Sequence, residues 1–358
     1  MFDLEKLGWD AHFEKSFEPF RNDGYEAGRI AVESKDRYVI QTKFGEVTGE
    51  TSGKLRFTAE SNADLPKVGD WVALTYFENE KKAIIHNILE RKTKFSRKVA
   101  GKRTEEQIIA SNIDVVFVVQ SLDLNFSVRR LERYLVMVSE SKARPVIVLN
   151  KSDLCDRVKN KLAEVKDLGK DVPILPMSAK TGQGLRKLKS FIKEGLTFAF
   201  VGSSGVGKST LINKIMGEDV QATAEVRKDS KGRHTTAQRE LIILPKGGCL
   251  IDTPGMRELQ LWHSEEGLNE AFEDVEKLAR HCHFSDCSHK QEKRCAVLDA
   301  VETGALPQER YESYLKLQKE LHRVESQRDT LRFLEKKKKE KELHRMIKKI
   351  ATKRTSKR

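Results

Sequence analysis

The sequence has no run of about 18 consecutive apolar residues, the length that a helix needs to cross a bilayer. Its first residues, MFDLEKLGWDAHFEKSF, carry charges where a secretory signal peptide needs an apolar stretch. These absences argue against a membrane or secreted protein, and we expect a soluble, cytoplasmic one. With 358 residues and 38% hydrophobic content, the chain is long enough for two or three domains, each with its own core.

Cysteine is scarce, with five in the whole chain. Three of them, Cys282, Cys287 and Cys295, fall close together beside several histidines. Because cytosolic thiols stay reduced, such clustering predicts a metal site rather than disulfides. Three sulfurs and one nitrogen suit tetrahedral Zn²⁺, and a full protein ligand set predicts a structural site. The candidates for the nitrogen ligand are His281, His283 and His289.

Positive charge is concentrated at the end of the chain. The formal net charge is +13, and residues 335–358 supply +9 of it, with 12 Lys and Arg against 3 Asp and Glu. A basic tail of this kind is typical of a segment that binds a polyanion such as RNA. The alternative is a solvated helix end that only aids solubility.

Residues 28–90 alternate apolar and polar residues in short runs separated by Gly, Asn and Asp. The predicted strands lie within GRIAVESKDRYVIQTKF, EVTGETSGKLRF, VGDWVALTYF and KKAIIHNIL. Several short strands without helices predict a five-stranded OB-type β-barrel, a fold that often binds oligonucleotides. Residues 1–95 nevertheless hold 15 Lys and Arg against 17 Asp and Glu, so this part is not basic overall.

The next segment, residues 91–103 (RKTKFSRKVAGKR), carries seven Lys and Arg and no acid, without clear periodicity. We predict a basic linker or loop. It either contacts a phosphate backbone, which would make binding salt-dependent, or is a solvated connector.

From residue 113 onward the apolar runs become continuous and alternate with helical segments such as SVRRLERYLVMVSE. The runs are IDVVFVV, RPVIVLN, VPILPMS, TFAFVG, LIILP and CLIDT. Buried strands that alternate with helices predict a parallel α/β sheet. After about Trp262 the sequence indicates polar helices on either side of the Cys/His cluster.

Residues 202–209, GSSGVGKS, match the phosphate-loop pattern G-x-x-x-x-G-K-[ST] between an apolar strand and a helix. Glycines let successive backbone amides turn toward phosphates, and the helix N-terminus adds its positive dipole end. We expect Lys208 to reach the β- and γ-phosphates and Ser209 to bind Mg²⁺. The predicted phosphate-contacting residues are Gly202, Ser203, Ser204, Gly205, Val206, Gly207, Lys208, Ser209 and Thr210.

Base recognition is predicted at residues 150–153, NKSD, which follow the strand RPVIVL. The Asp153 carboxylate can accept from guanine N1–H and the 2-amino group, whereas adenine offers neither donor, so the pattern indicates GTP rather than ATP. We expect Asn150 and Lys151 to complete the site, with Lys151 along the base and bracing the phosphate loop.

A companion loop follows the strand VPILPM. It comprises Ser178, Ala179 and Lys180, and it resembles the segment whose backbone amide holds guanine O6 and whose lysine covers the ring.

The switch motifs lie downstream of the phosphate loop. Residues 252–255, DTPG, match the DxxG signature, in which Asp252 holds Mg²⁺ through water and the Gly255 amide senses the γ-phosphate. The upstream GRHTT segment supplies Thr236 or Thr235 as the remaining Mg²⁺ ligand.

The order of these motifs is rotated. GTPases usually place the phosphate loop first, whereas here NKxD and SAK precede it. The fold survives such a permutation because the parallel strands keep their neighbours while the chain ends move. The second switch then leads directly into the C-terminal segment, so γ-phosphate occupancy can move what is attached there.

Together, the permuted motifs, the barrel and the Cys/His cluster resemble the ribosome small-subunit-dependent GTPase family (RsgA/YjeQ) over nearly the whole chain. Stretches such as FSRKVAGKRTEEQIIASNIDVVFVV, ARPVIVLNKSDLC and GRHTT carry the resemblance. It implies a GTPase that checks or releases late small-subunit assembly intermediates, with the barrel and the zinc region gripping rRNA. It also selects a zinc ligand set of Cys282, Cys287, His289 and Cys295.

One catalytic feature is missing, because Met256 stands directly after DxxG, where many GTPases have a Gln that orients the attacking water. A thioether cannot do this, so we expect slow intrinsic hydrolysis and nominate His234 in the switch segment. The alternative is that His234 serves only the switch or RNA contact.

The sequence thus predicts four parts: an OB-fold RNA-binding domain (1–95), a circularly permuted GTPase domain (96–265), an α-helical zinc-binding domain (266–334) and a basic tail (335–358). We expect a monomeric, Mg²⁺-dependent GTPase acting on the small ribosomal subunit. The rival hypothesis is a GTP-switched protein that binds another structured RNA with little catalysis.

Overall fold

The computed structural model describes residues 3–34, 37–98, 106–166, 168, 171–217, 239–244, 247–252, 265–323, 326 and 337. Five strands form the N-terminal barrel: β1 (Glu26–Ser34), β2 (Arg37–Thr42), β3 (Gly45–Thr51), β4 (Trp71–Phe77) and β5 (Lys82–Ile88). The barrel closes because β1 pairs with both β2 and β4, while β3 pairs with β5. The predicted five-stranded OB-type barrel is confirmed.

The barrel core is formed by side chains that alternate between buried and more exposed positions along the strands. In β2 the side chains of Tyr38, Ile40 and Thr42 are buried in turn, as a strand with one face inward requires. Helix α1 (Ala11–Arg21) packs on the barrel with Phe13 against Trp71, their ring centroids 5.8 Å apart.

The sequence interpretation was wrong within EVTGETSGKLRF. Residues Gly53–Thr58 form a short helix, α2, and not the continuation of a strand. The Ser52 side chain caps this helix by accepting a hydrogen bond from the backbone amide of Leu55 at 3.2 Å.

The predicted linker at residues 91–103 was also wrong in part. Lys94–Lys98 form strand β6, which pairs with β7 (Glu106–Ser111), so the boundary drawn between residues 95 and 96 falls inside a strand. The Arg91 guanidinium binds the buried Asp70 carboxylate through two hydrogen bonds of 2.7 Å, which raise the pKa of Arg91 despite its burial. The positive charge of Arg91, the first residue of this segment, is therefore paired inside the protein.

The central sheet contains the apolar runs as buried strands. They are β8 (Val115–Ser121), β9 (Arg144–Asn150), β10 (Ile174–Pro176), β11 (Thr197–Val201), β12 (Glu240–Ile243) and β13 (Cys249–Asp252), in the spatial order β10-β9-β8-β11-β13-β12. All neighbours are parallel except β12, which runs antiparallel to β13. The helices of this part are α3 (Val128–Glu140), α4 (Val158–Val165), α5 (Leu185–Lys189) and α6 (Lys208–Met216).

Strand pairing and a buried arginine join the barrel to the central part of the chain. Strand β12 pairs with β1 through Glu240 and Val32, which makes one eleven-stranded sheet. The Arg29 side chain of β1, 1% exposed, donates to the Thr197 hydroxyl at 2.8 Å and to the Asn112 carbonyl at 3.1 Å. Thr197 is the first residue of the strand that leads to the phosphate loop, so the barrel is anchored to the start of that strand.

The C-terminal part is helical, as predicted. Its helices are α7 (Glu265–Ala271), α8 (Glu273–Ala279), α9 (Ala296–Glu302) and α10 (residues 308–323). Short 3₁₀ helices occur at Glu5–Leu7, Asn62–Asp64, Glu78–Glu80 and Ser152–Leu154. Among the described helices, none is both long and apolar enough to cross a membrane.

Candidate functional site

The predicted nucleotide motifs meet at one edge of the central sheet. The phosphate loop follows β11, NKSD begins at the last residue of β9, and Ser178 comes two residues after the end of β10. Strands β9 and β11 both run parallel to β8, which lies between them, and β10 runs parallel to β9. The carboxyl ends of these strands therefore lie at the same edge of the sheet, where open α/β sheets bind ligands.

Asn150 ties three of these segments together. Its side chain is 1% exposed. The Asn150 amide nitrogen donates to the Val206 carbonyl of the phosphate loop at 2.8 Å, and its Oδ1 accepts from the Ala179 backbone amide at 2.9 Å. One side chain thus fixes the guanine motif, the phosphate loop and the companion loop relative to one another.

Close approach of Asn150 requires a glycine in the phosphate loop. A Cβ at Gly207 would lie 2.3 Å from Asn150 Nδ2, and Gly207 has a φ of 96°, in the left-handed region. Helix α6 starts at Lys208, whose ammonium donates to the carbonyls of Gly202 and Ser203 at 2.6 and 2.7 Å. Ser209 and Thr210 are exposed in the first turn of α6, while Ser204 and Gly205 are exposed at the loop tip.

The structure places the Lys151 ammonium on Asp123, at 2.9 Å, whereas the bracing contact to the phosphate loop comes from Asn150. Lys151 adopts a left-handed backbone conformation, with a φ of 61°, and Asp153 is exposed in the 3₁₀ turn that follows. Asp123 lies just after β8 and is a site residue that the motifs did not identify.

The companion loop is ordered by its own hydrogen bonds. The buried Ser178 hydroxyl accepts from the Thr181 backbone amide at 3.1 Å, and the Ser178 backbone amide donates to the Gln183 carbonyl at 3.0 Å. Lys180 is exposed beside it.

Helix α3 contacts the phosphate loop, which the sequence motifs also did not indicate. Arg130 donates to the Ser203 hydroxyl at 3.1 Å, and Tyr134 also hydrogen-bonds Ser203. Burial raises the pKa of Tyr134. The only signal in the sequence was the polar stripe of the SVRRLERYL helix, which gives no partner.

Several predicted switch residues lie outside the described part of the chain. They are His234, Thr235, Thr236, Gly255 and Met256, together with the side chain of Asp252. The Asp252 backbone ends strand β13.

A second candidate site brings together Cys282, Cys287, His289 and Cys295, whose ligand atoms all lie within 4.8 Å of one another. His289 Nδ1 is 3.4 Å from the Cys295 sulfur and 3.6 Å from the Cys282 sulfur, and these two sulfurs are 3.8 Å apart. Ligands of a tetrahedral zinc ion lie about 3.5 to 3.8 Å apart, given the usual Zn–S and Zn–N bond lengths. The cluster can therefore hold a metal ion.

The two rival histidines do not join this cluster. His281 is exposed and its Nδ1 lies 2.9 Å from the Lys277 carbonyl, while His283 is exposed and packs edge-on against Phe284. Among the described histidines, His289 alone belongs to the cluster.

The loop around His289 is held from two sides. The Glu292 carboxylate accepts from the Ser288 hydroxyl and from the backbone amides of Ser288 at 3.0 Å and Lys290 at 2.9 Å. The bond from the Ser288 hydroxyl, together with bonds from backbone amides, lowers the pKa of Glu292. The Tyr311 hydroxyl of α10 donates to the His289 carbonyl at 2.6 Å. Such outer contacts orient a metal ligand, and the sequence pattern identified neither residue.

Relatives resemble this chain in sequence over most of its length. The chain is 47% identical to the small ribosomal subunit biogenesis GTPase RsgA 2 of Lactiplantibacillus plantarum, over 84% of this chain and 85% of the relative. The chain belongs to the RsgA GTPase family. The RsgA protein of Opitutus terrae is 43% identical, over 88% of this chain and 89% of its own.

Two family models match overlapping parts of the chain. The RsgA GTPase model matches residues 88–262, and a model described as 50S ribosome-binding GTPase matches residues 197–355. Membership in the RsgA family makes the chain a GTPase and confirms the resemblance noted from the motifs.

Solved structures of similar proteins support the RsgA fold. The crystal structure of YjeQ from Thermotoga maritima superposes with a TM-score of 0.65 at 29% identity, over 83% of this chain and 98% of that one. YloQ, described as a circularly permuted GTPase, gives 0.61 at 27% identity, over 83% and 95%. The permuted motif order in this chain agrees with that architecture.

Proposed function

We propose that this protein binds the small ribosomal subunit and acts in its late assembly, hydrolysing GTP to GDP and phosphate with turnover that the subunit stimulates. The observation that carries the proposal is the Asn150 side chain, which joins the phosphate loop to both guanine loops in a chain whose relatives are named small-subunit biogenesis GTPases. We infer that the protein acts in the cytoplasm and as a monomer.

In the proposed site, Asp153 accepts from guanine N1–H and the 2-amino group, and the Ala179 amide lies beside the base. The phosphate-loop amides, the dipole of α6 and the Lys208 ammonium surround the β- and γ-phosphates. During hydrolysis water attacks the γ-phosphorus and the bond to the β-phosphate oxygen breaks, so these donors stabilise the negative charge that the leaving GDP gains.

Mg²⁺ neutralises phosphate charge when it is bound, and Ser209, Thr236 and Asp252 are the residues that would hold it. The position after DxxG is Met256, which cannot orient water, and we assign that role to His234. His234→Ala should leave GTP affinity intact and lower stimulated turnover. Unchanged stimulated turnover would remove His234 from the mechanism.

Zinc is the ion that we assign to the Cys282, Cys287, His289 and Cys295 cluster. Three thiolates and an imidazole form a closed set with no open position, so the ion would stabilise the C-terminal part without taking part in hydrolysis. This part, the barrel and the basic tail would bind rRNA.

For the barrel, aromatic side chains favour RNA contact more than charge does. Phe57 is 91% exposed, Phe44 47% and Phe77 43%. Phe44 stacks on Tyr76 at 4.6 Å with an interplanar angle of 14°, which leaves a flat aromatic surface of the kind on which bases stack.

The test is GTP hydrolysis by the purified protein, alone and with purified small subunits, using large subunits and bulk RNA as controls. We expect slow basal turnover that small subunits alone raise many-fold. Lys208→Ala should abolish the stimulated activity, whereas Lys214→Ala, on an exposed position of the same helix, should not. Turnover unchanged by every ribosomal component would instead support a GTP-switched binder of another RNA.

A further inference from the structure

A carboxylate outside all the recognised motifs contacts the guanine motif. Asp123 lies two residues past the end of β8, the strand next to the one that carries NKSD. Its Oδ2 is 2.9 Å from the Lys151 ammonium, and the two side chains are 22% and 30% exposed. The pair therefore lies at the rim of the proposed pocket.

Asp123 is itself held rigidly. Its Oδ1 accepts from the Ser121 hydroxyl at 2.8 Å and from the Asn125 backbone amide at 2.9 Å. Partial burial acts to raise the pKa of Asp123, but these bonds and Lys151 outweigh it and lower the pKa to about 2. The carboxylate that pairs with the lysine is therefore ionised, and the Ser121 and Asn125 hydrogen bonds fix its orientation.

The same loop also reaches the phosphate side of the site. The Asn125 carbonyl accepts from Arg130 at 3.3 Å, and Arg130 donates to Ser203 of the phosphate loop at 3.1 Å. The loop after β8 thus contacts the guanine motif at Lys151 and, through Arg130, the phosphate loop.

We propose that Asp123 is a positioning residue for nucleotide binding, which orients the long side chain of Lys151 along the face of the base. A lysine without a partner samples many rotamers, and an ion pair with a fixed carboxylate selects one of them before the nucleotide arrives. The inference rests on the proposed role of NKSD in guanine binding.

The experiment is calorimetric titration of GDP with Mg²⁺ into the full chain and its variants. Asp123→Asn keeps the shape of the side chain and removes its charge, and we expect GDP to bind about fivefold more weakly, the scale of a partly exposed ion pair. The matched control is Asp171→Asn, an exposed carboxylate before β10 and so at the opposite edge of the sheet, which should bind like the wild type.

Coupling to Lys151 separates positioning from a general structural effect. Lys151→Ala should weaken GDP binding, and Asp123→Asn should add nothing to it in the double variant, because the carboxylate acts only through the lysine. IDP lacks the 2-amino group that Asp153 reads, so Asp123→Asn should weaken GDP and IDP by the same factor, while Asp153→Asn should change their ratio.

Each remaining outcome has a definite meaning. Additive losses in the double variant, or wild-type affinity in Asp123→Asn, would overturn the positioning role while leaving the guanine site standing. A wild-type chain that binds neither GDP nor GTP would overturn the proposed function and this inference with it.

Discussion

The Arg310 guanidinium on α10 donates to the Glu132 carboxylate on α3 at 2.7 Å, with the two side chains 9% and 2% exposed. Arg310 also binds both Asp274 oxygens, at 2.8 and 3.0 Å, and lies 3.9 Å above the Phe272 ring. Burial opposes the charge, but these carboxylates outweigh it and raise the pKa of Arg310. This network joins the C-terminal helices to the helix that contacts the phosphate loop.

Replacing one member of this network should destabilise the chain. Glu132→Gln leaves a charged arginine without its buried partner, and we expect the free energy of unfolding, measured by urea titration, to fall by about 2 kcal/mol. The control is Glu312→Gln, since the Glu312 and Arg129 side chains of that ion pair are both 49% exposed and solvent screens them. Equal stability of the two variants would show that the buried network contributes nothing.

Asn150→Ala should weaken GDP binding without unfolding the sheet. The change removes two buried hydrogen bonds and leaves the Val206 carbonyl and the Ala179 amide without their partner, so affinity should fall about 30-fold, the scale of two such bonds. Calorimetric titration measures this, and Asn160→Ala, exposed on α4, should retain wild-type affinity. A wild-type dissociation constant for Asn150→Ala would contradict the linking role.

The motifs predicted the nucleotide site from the sequence because each motif is local. The strand, the turn glycines and the polar residue at a strand end are all encoded within about ten residues. Contacts between distant positions were not predictable in this way. Lys151 and Asp123 are 28 residues apart, and Arg310 and Glu132 are 178 apart, and no periodicity specifies such partners.

The two errors in the predicted fold, at α2 and at β6, have similar physical causes. The alternation in GKLRFT suits a strand as well as a short helix, and the Ser52 cap decides for the helix. In β6 the many charges concealed a buried side chain, Phe95, which is 2% exposed. That segment forms a strand because it pairs with β7, and the residues of the segment alone do not indicate this partner.

Barrel stability should depend on pH through His86. Burial lowers the pKa of His86, whose ring packs on Tyr25 and whose Nε2 lies 3.0 Å from the Thr75 hydroxyl. The folded chain therefore binds the proton more weakly than the unfolded chain. The stabilisation is complete above the unfolded pKa of about 6.5 and declines as the pH falls below it. The melting temperature should thus fall less between pH 7.5 and pH 5.5 for His86→Gln than for the wild type. An equal fall in the two proteins would contradict this assignment.

Metal content tests the Cys/His cluster directly. Purified protein should contain one zinc ion per chain, and Cys295→Ser should lose it together with the ordered loop around His289, since the ion contributes folding energy to a small segment. Cys155→Ser, which changes a cysteine outside the cluster, should keep the zinc. Acidification should release the ion because protons compete for the thiolates and the imidazole. Wild-type protein without equimolar zinc, or Cys295→Ser protein that retains it, would mean that the 3.4 to 3.8 Å spacing of these ligand atoms serves another purpose.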